Sequence, residues 1–565
     1  MKRPIVIAIL LAALGVMVWL FAQAPAAAPG DLARLTPAGP VLYLEAKDFG
    51  SLLRDWNGSQ EKKLWLASDN FQVFSRSRLY LKLLQAQTEF ATAAGAPPNM
   101  DLLGNVAGTQ SALAIYDIGK LEFLYITRLP ADRFAVGALW KLRGNYQPRQ
   151  SSGIDYYVKT DPATKRMAGF AAAKDYVVLA TREDVLAGAL ALIAGQTAPS
   201  VAAEPWFDRT VREAKTPGDL RMVMNFEKLS KSPHFRSYWA PQNITELKQY
   251  SAAIADAARA TGELRENRVL VRNSEIPPDW NEAAVAEIAR LAPASAGIYR
   301  AWASPTSEQA FDLVSRELLN PQPVSPTESK TAPVVALGDG AVGDEADLET
   351  KIDEPPLDTG AVSFGPELRK LLDSTKLEAM MAVGSSRVQA DGVFVGIDSA
   401  VALLAASNWD PAATREAVAS AVARVISTGG LGVRWQDRRA GAVAYSELDG
   451  LAPLAIAVNG RMLVIAGSRE LLEAMLAGLS NQSSVPAARY SAAYRHSKEL
   501  PNFIKMMRLI DAPLTKETTS DQPEPAFFSG NIASLGTTLA RVDSQSITVH
   551  DTGAIVTQSL VYKLK

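Results

Sequence analysis

No cysteine occurs anywhere in the 565 residues. That excludes disulfides, thiolate metal sites, thiol nucleophiles and a lipid-modified N-terminal cysteine. Histidine is scarce: His234, His496 and His550 are the three in the chain, too few and too scattered for an imidazole-rich metal site. There is no P-loop, no Gly-rich dinucleotide fingerprint, no His-Glu-x-x-His and no Gly-x-Ser-x-Gly elbow. Charge of one sign is missing too, with 58 Lys plus Arg against 60 Asp plus Glu, so no broad field draws the chain to nucleic acid. We therefore expect no catalytic, cofactor-binding or metal-binding residues, and binding without turnover, because the common means of activating a nucleophile are absent.

What is present is apolar and long. At 48% hydrophobic residues, a chain of this length is expected to form two or more domains. Lys2 and Arg3 precede an apolar run from Ile5 to Ala22, which as a helix spans roughly 27 Å, close to the hydrocarbon core of a bilayer. The positive charges stand before the run, which predicts a cytoplasmic N-terminus and an exported remainder. Ala22-Gln23-Ala24 has the form of a signal-peptidase site. Pro25 follows it, however, and the run exceeds the usual length of a signal peptide's apolar region, so the reading is an uncleaved anchor. The expected plan is a signal-anchor transmembrane helix at 1–24, crossing through residues 5–22, and an Ala/Pro-rich spacer at 25–32. The expected location is the bacterial inner membrane, single pass, with the bulk of the chain in the periplasm.

The rest of the chain repeats itself. Ala33-Arg34-Leu35-Thr36-Pro37-Ala38, with Tyr43 following, recurs as Ala289-Arg290-Leu291-Ala292-Pro293-Ala294 with Tyr299. Val177-Val178-Leu179-Ala180 leading to Arg182-Glu183 recurs as Leu463-Val464-Ile465-Ala466 leading to Arg469-Glu470. A repeat predicts two modules of one fold, 33–287 and 288–565. The offset is larger at the second motif than at the first, so the second copy carries about 30 more residues between them, expected as a loop. An acidic, Pro-rich stretch at 321–359 is the candidate, read as exposed and without a packed structure.

Strands are expected at Val41–Ala46, Ser111–Tyr116, Leu121–Ile126, Met167–Ala173 and Tyr176–Ala180, the last two joined at Lys174-Asp175. A helix follows at Asp184–Ala194, and a helical pattern runs from Phe71 to Ala94. Its mixture of basic and apolar residues fits a membrane-surface helix, but fits better an amphipathic helix covering a sheet. A further helix is introduced at Leu129-Pro130-Ala131, followed by an irregular polar stretch. Leu220–Phe226 reads as a strand, Ala-rich Thr245–Thr261 as a helix and Asn267–Val271 as a short strand.

In the second copy, Val401–Ala405 leads through Asp410-Pro411 into a helix. A hairpin turns at Asn459-Gly460, a helix covers Glu470–Leu479, another covers Asn531–Arg541, and two strands flank Asp551-Thr552-Gly553. The fold class is α+β: two related modules of mostly antiparallel sheet packed with helices, after the N-terminal transmembrane helix.

Two polar groupings and the tryptophans invite a functional role and are read otherwise. Ser546, His550 and Asp551 lack the context of a Ser/His/Asp site and read as a polar strand end. Asp339, Asp344, Asp347 and Glu349 lack the alternate spacing of a calcium loop. The tryptophans sit in apolar or amphipathic runs and read as packing residues.

The duplicated Ala-Arg-Leu-x-Pro-Ala entry and the strand–turn–strand–Arg-Glu–helix element resemble uncharacterised bacterial envelope proteins, in which a duplicated domain of unknown function follows an N-terminal membrane anchor. The resemblance implies a fold and a compartment, and brings no site residues. The leading functional expectation is a non-catalytic, inner-membrane-anchored periplasmic protein acting in protein binding or envelope assembly, through an envelope partner or self-association. The alternative is a periplasmic binder or carrier of lipid or another apolar small molecule, and an envelope hydrolase stands third. An exposed apolar patch would favour the first, an enclosed apolar cavity the second, and a convergent polar cluster the third.

Overall fold

The computed structural model describes residues 31–319, 365–511 and 541–565, apart from 77, 98, 215, 237–246, 389–394, 427–433, 450–453 and 481–484. The expected anchor at 1–24, the spacer as far as residue 30, the acidic loop at 321–359 and nearly all of the expected helix at Asn531–Arg541 lie outside the described residues. Among the described residues, no helix is long and apolar enough to cross a membrane.

The chain is mixed helix and strand, with its strands in antiparallel sheet, and it divides into two compact units. Unit 1 takes the described residues of Met1–Pro278, Met507–Asp543 and Asp551–Lys565; unit 2 takes Asp279–Met506 and Ser544–His550.

The strands of unit 1 are β1 (Leu42–Ala46), β2 (Ser111–Asp117), β3 (Glu122–Arg128), β4 (Gln147–Ser151), β5 (Ile154–Thr160), β6 (Met167–Ala173), β7 (Tyr176–Ala180), β8 (Leu220–Asn225), β9 (Tyr250–Ala260) and β10 (Glu263–Arg272). Those of unit 2 are β11 (Ile298–Ala303), β12 (Leu377–Val388), β13 (Val395–Ala405), β14 (Arg434–Ala440), β15 (Val443–Asp449), β16 (Leu454–Asn459), β17 (Met462–Ala466) and β18 (Tyr490–Tyr494). To these unit 2 adds β19 (Val542–Asp551), through its residues Ser544–His550, and unit 1 adds the last strand, β20 (Ile555–Leu564).

Spatial order in unit 1 is β4-β5-β6-β7-β3-β2-β1-β8-β9-β10-β20. In unit 2 it is β14-β15-β16-β17-β13-β12-β11-β18-β19. The second order is that of the first nine strands of unit 1 with ten added to each strand number, and the registers agree as well. Tyr43 faces Ala114 and Val223 across its two neighbouring strands, as Tyr299 faces Val383 and Ala493. Followed strand by strand, these registers match Ser111 with Met380, Leu124 with Ala400 and Ala180 with Ala466. The offset between matched residues rises at each of those three steps, so the added length of the second copy is shared among several connections.

Side chains alternate across each sheet. In unit 1, Tyr43, Ala114, Leu124 and Val178 share one buried face with Leu186 and Leu190 of helix Glu183–Ile193 and Phe207 of helix Pro205–Glu213. Unit 2 builds the same face from Ala301, Val383, Ala400 and Val464, against helices Glu282–Ala289 and Arg469–Ala477. Even a polar contact recurs: the hydroxyl of Tyr156 on β5 donates to Glu183 at 2.9 Å, and that of Tyr445, its register match on β15, donates to Glu473 at 2.6 Å.

The structure corrects several expectations. Tyr250–Ala260 is strand, because β8 and β10 flank it and its small side chains fit between two covered faces; pairing overrides the helical propensity of alanine. The polar stretch after Asn145 forms β4 and β5, an edge hairpin whose outer strand is largely exposed. The pattern from Phe71 to Ala94 divides into helices Asp69–Ser75 and Arg78–Ala94. The helix expected after Pro130 is two short ones, Ala131–Ala135 and Ala138–Lys141. Both hairpin turns lie where expected, Lys174 at φ 53° and Gly460 at φ 60°.

Candidate functional site

The other face of unit 1's sheet carries a cavity of about 580 Å³. Its floor is made by side chains that alternate with the core residues: Leu44 on β1, Leu113 and Ile115 on β2, Phe123 and Tyr125 on β3, Leu179 on β7. Its walls come from the long connection between β1 and β2. Helix Phe49–Gly58 contributes Phe49, helix Arg78–Ala94 contributes Leu83, Ala86 and Phe90, and helix Met100–Val106 contributes Leu102, Leu103 and Val106. Two of these helices are capped by their own sequence, with Asp48 accepting from the Ser51 amide and Asn99 from the Leu102 amide. Helix Arg78–Ala94 also leaves Leu81, Leu83 and Leu84 between 40% and 54% exposed, and of these Leu83 lines the cavity.

Polar groups around the floor are already satisfied. Ser111 and Thr127 hydroxyls lie 2.6 Å apart, Thr127 also accepts from the Gly108 amide at 3.0 Å, and the Tyr125 hydroxyl donates to the Val106 carbonyl at 2.9 Å. Burial pushes the Tyr125 phenol up, which keeps it neutral. Gly108 permits this closeness: a Cβ there would meet the Arg128 carbonyl oxygen at 2.2 Å.

Charge enters at the rim. Arg166 donates from Nε to Glu89 Oε2 at 2.6 Å and from a terminal nitrogen to the carbonyl of Lys120 in the β2–β3 turn. The guanidinium holds the Glu89 carboxyl below the usual carboxylate range, with Gln85 adding a hydrogen bond. On the opposite side of β1, burial raises the Glu45 carboxyl, although Gln110 and the Tyr43 hydroxyl both donate to it.

This arrangement can enclose a hydrocarbon: the polar groups of its lining are hydroxyls, the Gln87 amide and the cations Lys120 and Arg166, and the rest is mainly aliphatic and aromatic. Two of the three residues that invited a hydrolase reading have charged partners. Asp551 accepts two hydrogen bonds at 2.8 Å from Arg272, and His550 Nδ1 lies 3.0 Å from Glu282 Oε2. Among the described residues, no group of three or more His, Asp or Glu stands ready to hold a metal. The acidic cluster from Asp339 to Glu349 lies outside them. Trp409 is buried as a packing residue should be, whereas Trp56 is 45% exposed.

Sequence reasoning placed several of these residues in strands but assigned none of them to a site. The available signal was that β2 and β3 are apolar at consecutive positions, as at Leu113-Ala114 and Phe123-Leu124, which means that both faces are covered.

No family model matches the chain, and no curated protein matches it. Solved structures of TP0453 in crystal forms IV, III and I are similar to part of it, at 11%, 11% and 14% identity with TM-scores of 0.24, 0.23 and 0.23. They cover 43%, 44% and 44% of this chain and 80%, 82% and 82% of that one. Likeness at that level carries no argument about fold or function.

Proposed function

We propose that this protein is a non-catalytic, membrane-anchored envelope protein that binds a lipid or another apolar small molecule in the pocket of its first unit. The carrying observation is the cavity itself, about 580 Å³ and walled by aliphatic and aromatic side chains from one sheet and three helices. Such a volume falls within the range of roughly 300–1,000 Å³ usual for small-molecule sites. Each methylene taken from water into it contributes about 0.8 kcal/mol. The matching strand orders support descent of both units from one duplicated module, the pocket being a specialisation of the first copy.

In this reading residues 5–22 tether the chain to the bacterial inner membrane and the two units work in the periplasm. An impermeant maleimide should then label a cysteine placed at Ser59 in intact spheroplasts, and protection there would overturn the topology. For the ligand, the test is organic extraction and mass spectrometry of the purified full chain. Near-stoichiometric lipid, lost when Leu113→Trp narrows the pocket, is the expected result. A chain that carries none, and takes up none when offered, refutes the reading.

Protein binding and envelope assembly remain the second reading, favoured by the exposed Leu81, Leu83 and Leu84 on one helix. Crosslinking in cells that captures one reproducible envelope protein through that helix, with no lipid in the pocket, would put it first.

A further inference from the structure

The charged side chains that line the pocket are of one sign, Lys120 and Arg166, and their carboxylate partners Glu122 and Glu89 are not part of the lining. Resting on the reading of the pocket as an apolar-ligand site, we propose that its occupant is a single-chain amphiphile with an anionic head, a carboxylate or phosphate ester held at the mouth by Arg166 and Lys120 while the acyl chain lies between the sheet and helix Arg78–Ala94.

The geometry separates head from chain. Lys120 sits in the β2–β3 turn, its amide fixed by Asp117 Oδ1 at 3.0 Å, and its side chain is 72% exposed with Glu122 at 4.0 Å. Leu121, the next residue, turns inward and lines the pocket, at a φ of 51° that leucine seldom adopts. One step along the backbone therefore passes from a solvated cation to an apolar wall.

Arg166 spans the same mouth from the start of β6. It holds Glu89 through Nε and the Lys120 carbonyl through Nη1, and among the described residues its Nη2 makes no hydrogen bond. A guanidinium carries five N–H donors in a planar fork, so one anion on Nε leaves donors for a second. An ionised head is disfavoured further inward, because the chamber is mainly apolar and the hydroxyls of its floor are already hydrogen-bonded. A neutral head could accept a hydrogen bond from either cation but would lack the charge attraction.

The experiment is photo-crosslinking of the full chain in its own membranes with diazirine-bearing probes of equal chain length: a fatty acid, a lysophosphatidic acid and a fatty alcohol. The expected result is labelling of the peptides carrying Leu113–Phe123 and Leu83–Phe90. At least one anionic probe should label about tenfold more than the alcohol, the factor that about 1.4 kcal/mol produces. The better of the two anionic probes identifies the head as carboxylate or phosphate. Lys120→Gln with Arg166→Gln should bring the anionic probes down to the alcohol's level, and Arg166→Lys should restore part of the preference. Equal pocket labelling by all three probes overturns the anionic head and leaves the apolar-ligand reading standing. No pocket labelling by any probe overturns both.

Discussion

Compared position by position, the two units carry one sheet and two different second faces. In unit 2 that face is filled. Met380, Val401, Leu403 and Ile465 are at most 1% exposed beneath helices Ser307–Val314, Pro366–Asp373 and Pro411–Ile426, whose Phe311, Leu368 and Val418 join the same core. In unit 1 the register matches of those four residues are Ser111, Tyr125, Thr127 and Leu179, and the helices above stand off to leave the cavity. A hydroxyl pair has the place of Met380 and Leu403, so the first unit lacks the volume that closes the second. Residue choice on a shared scaffold thus decides between a core and a container, since interiors close only where side-chain volume fills them.

The widest test of this contrast is truncation at matched positions. Ile465→Ala in the filled face should cost about 2–5 kcal/mol, because it opens a void in a dense core. Leu179→Ala, beside space that already exists, should cost under about 2 kcal/mol. Hydrogen exchange within each unit would measure both, and equal losses would remove the distinction.

Next in size is the floor. Thr127→Val removes the acceptor of the Gly108 amide and the partner of Ser111, and should destabilise unit 1 by about 1–3 kcal/mol. A change below a few tenths would mean that the hydroxyl pair does not support the pocket. Ala86→Leu, which places bulk into the cavity, should move stability by less than about 1 kcal/mol while lowering lipid content. A large loss of stability would show that the wall has no slack.

The smallest effect is Glu45→Gln, read by melting from pH 4 to pH 8. Burial raises the native carboxyl above its unfolded value of about 4.3, so its favourable contribution is present in acid and disappears as pH rises through the folded value. The variant should therefore gain on the native protein as pH rises, by up to about 1 kcal/mol at neutral pH. A gap independent of pH would contradict the sign.

Local chemistry made part of this legible in the sequence. Asn459-Gly460 marked a hairpin through backbone preference, alignment of the two copies carried that reading to Lys174-Asp175, and the doubled Tyr43/Tyr299 context marked the central strands. Other elements depend on neighbours that no local pattern contains. Strand β9 reads as helix until β8 and β10 are beside it. Strands β4 and β14, both edges, show little apolar alternation because they cover little. The cavity was hidden for a related reason: Leu44, Leu113, Phe123 and Leu179 each look like ordinary strand residues, and what makes them a lining is the distance at which a helix passes over them.

Strand β20 pairs with β10 from Glu263↔Lys563 to Val271↔Ile555, inside unit 1. During synthesis at about 5–20 residues per second, β10 leaves the ribosome roughly a quarter of a minute to a minute before its partner. Through that interval the sheet has a ten-residue strand with one open hydrogen-bonding side, the kind of edge that recruits other chains. The first half of the protein is made early and finished last, so its safe passage depends on whatever shields β10 while the second half is still being made.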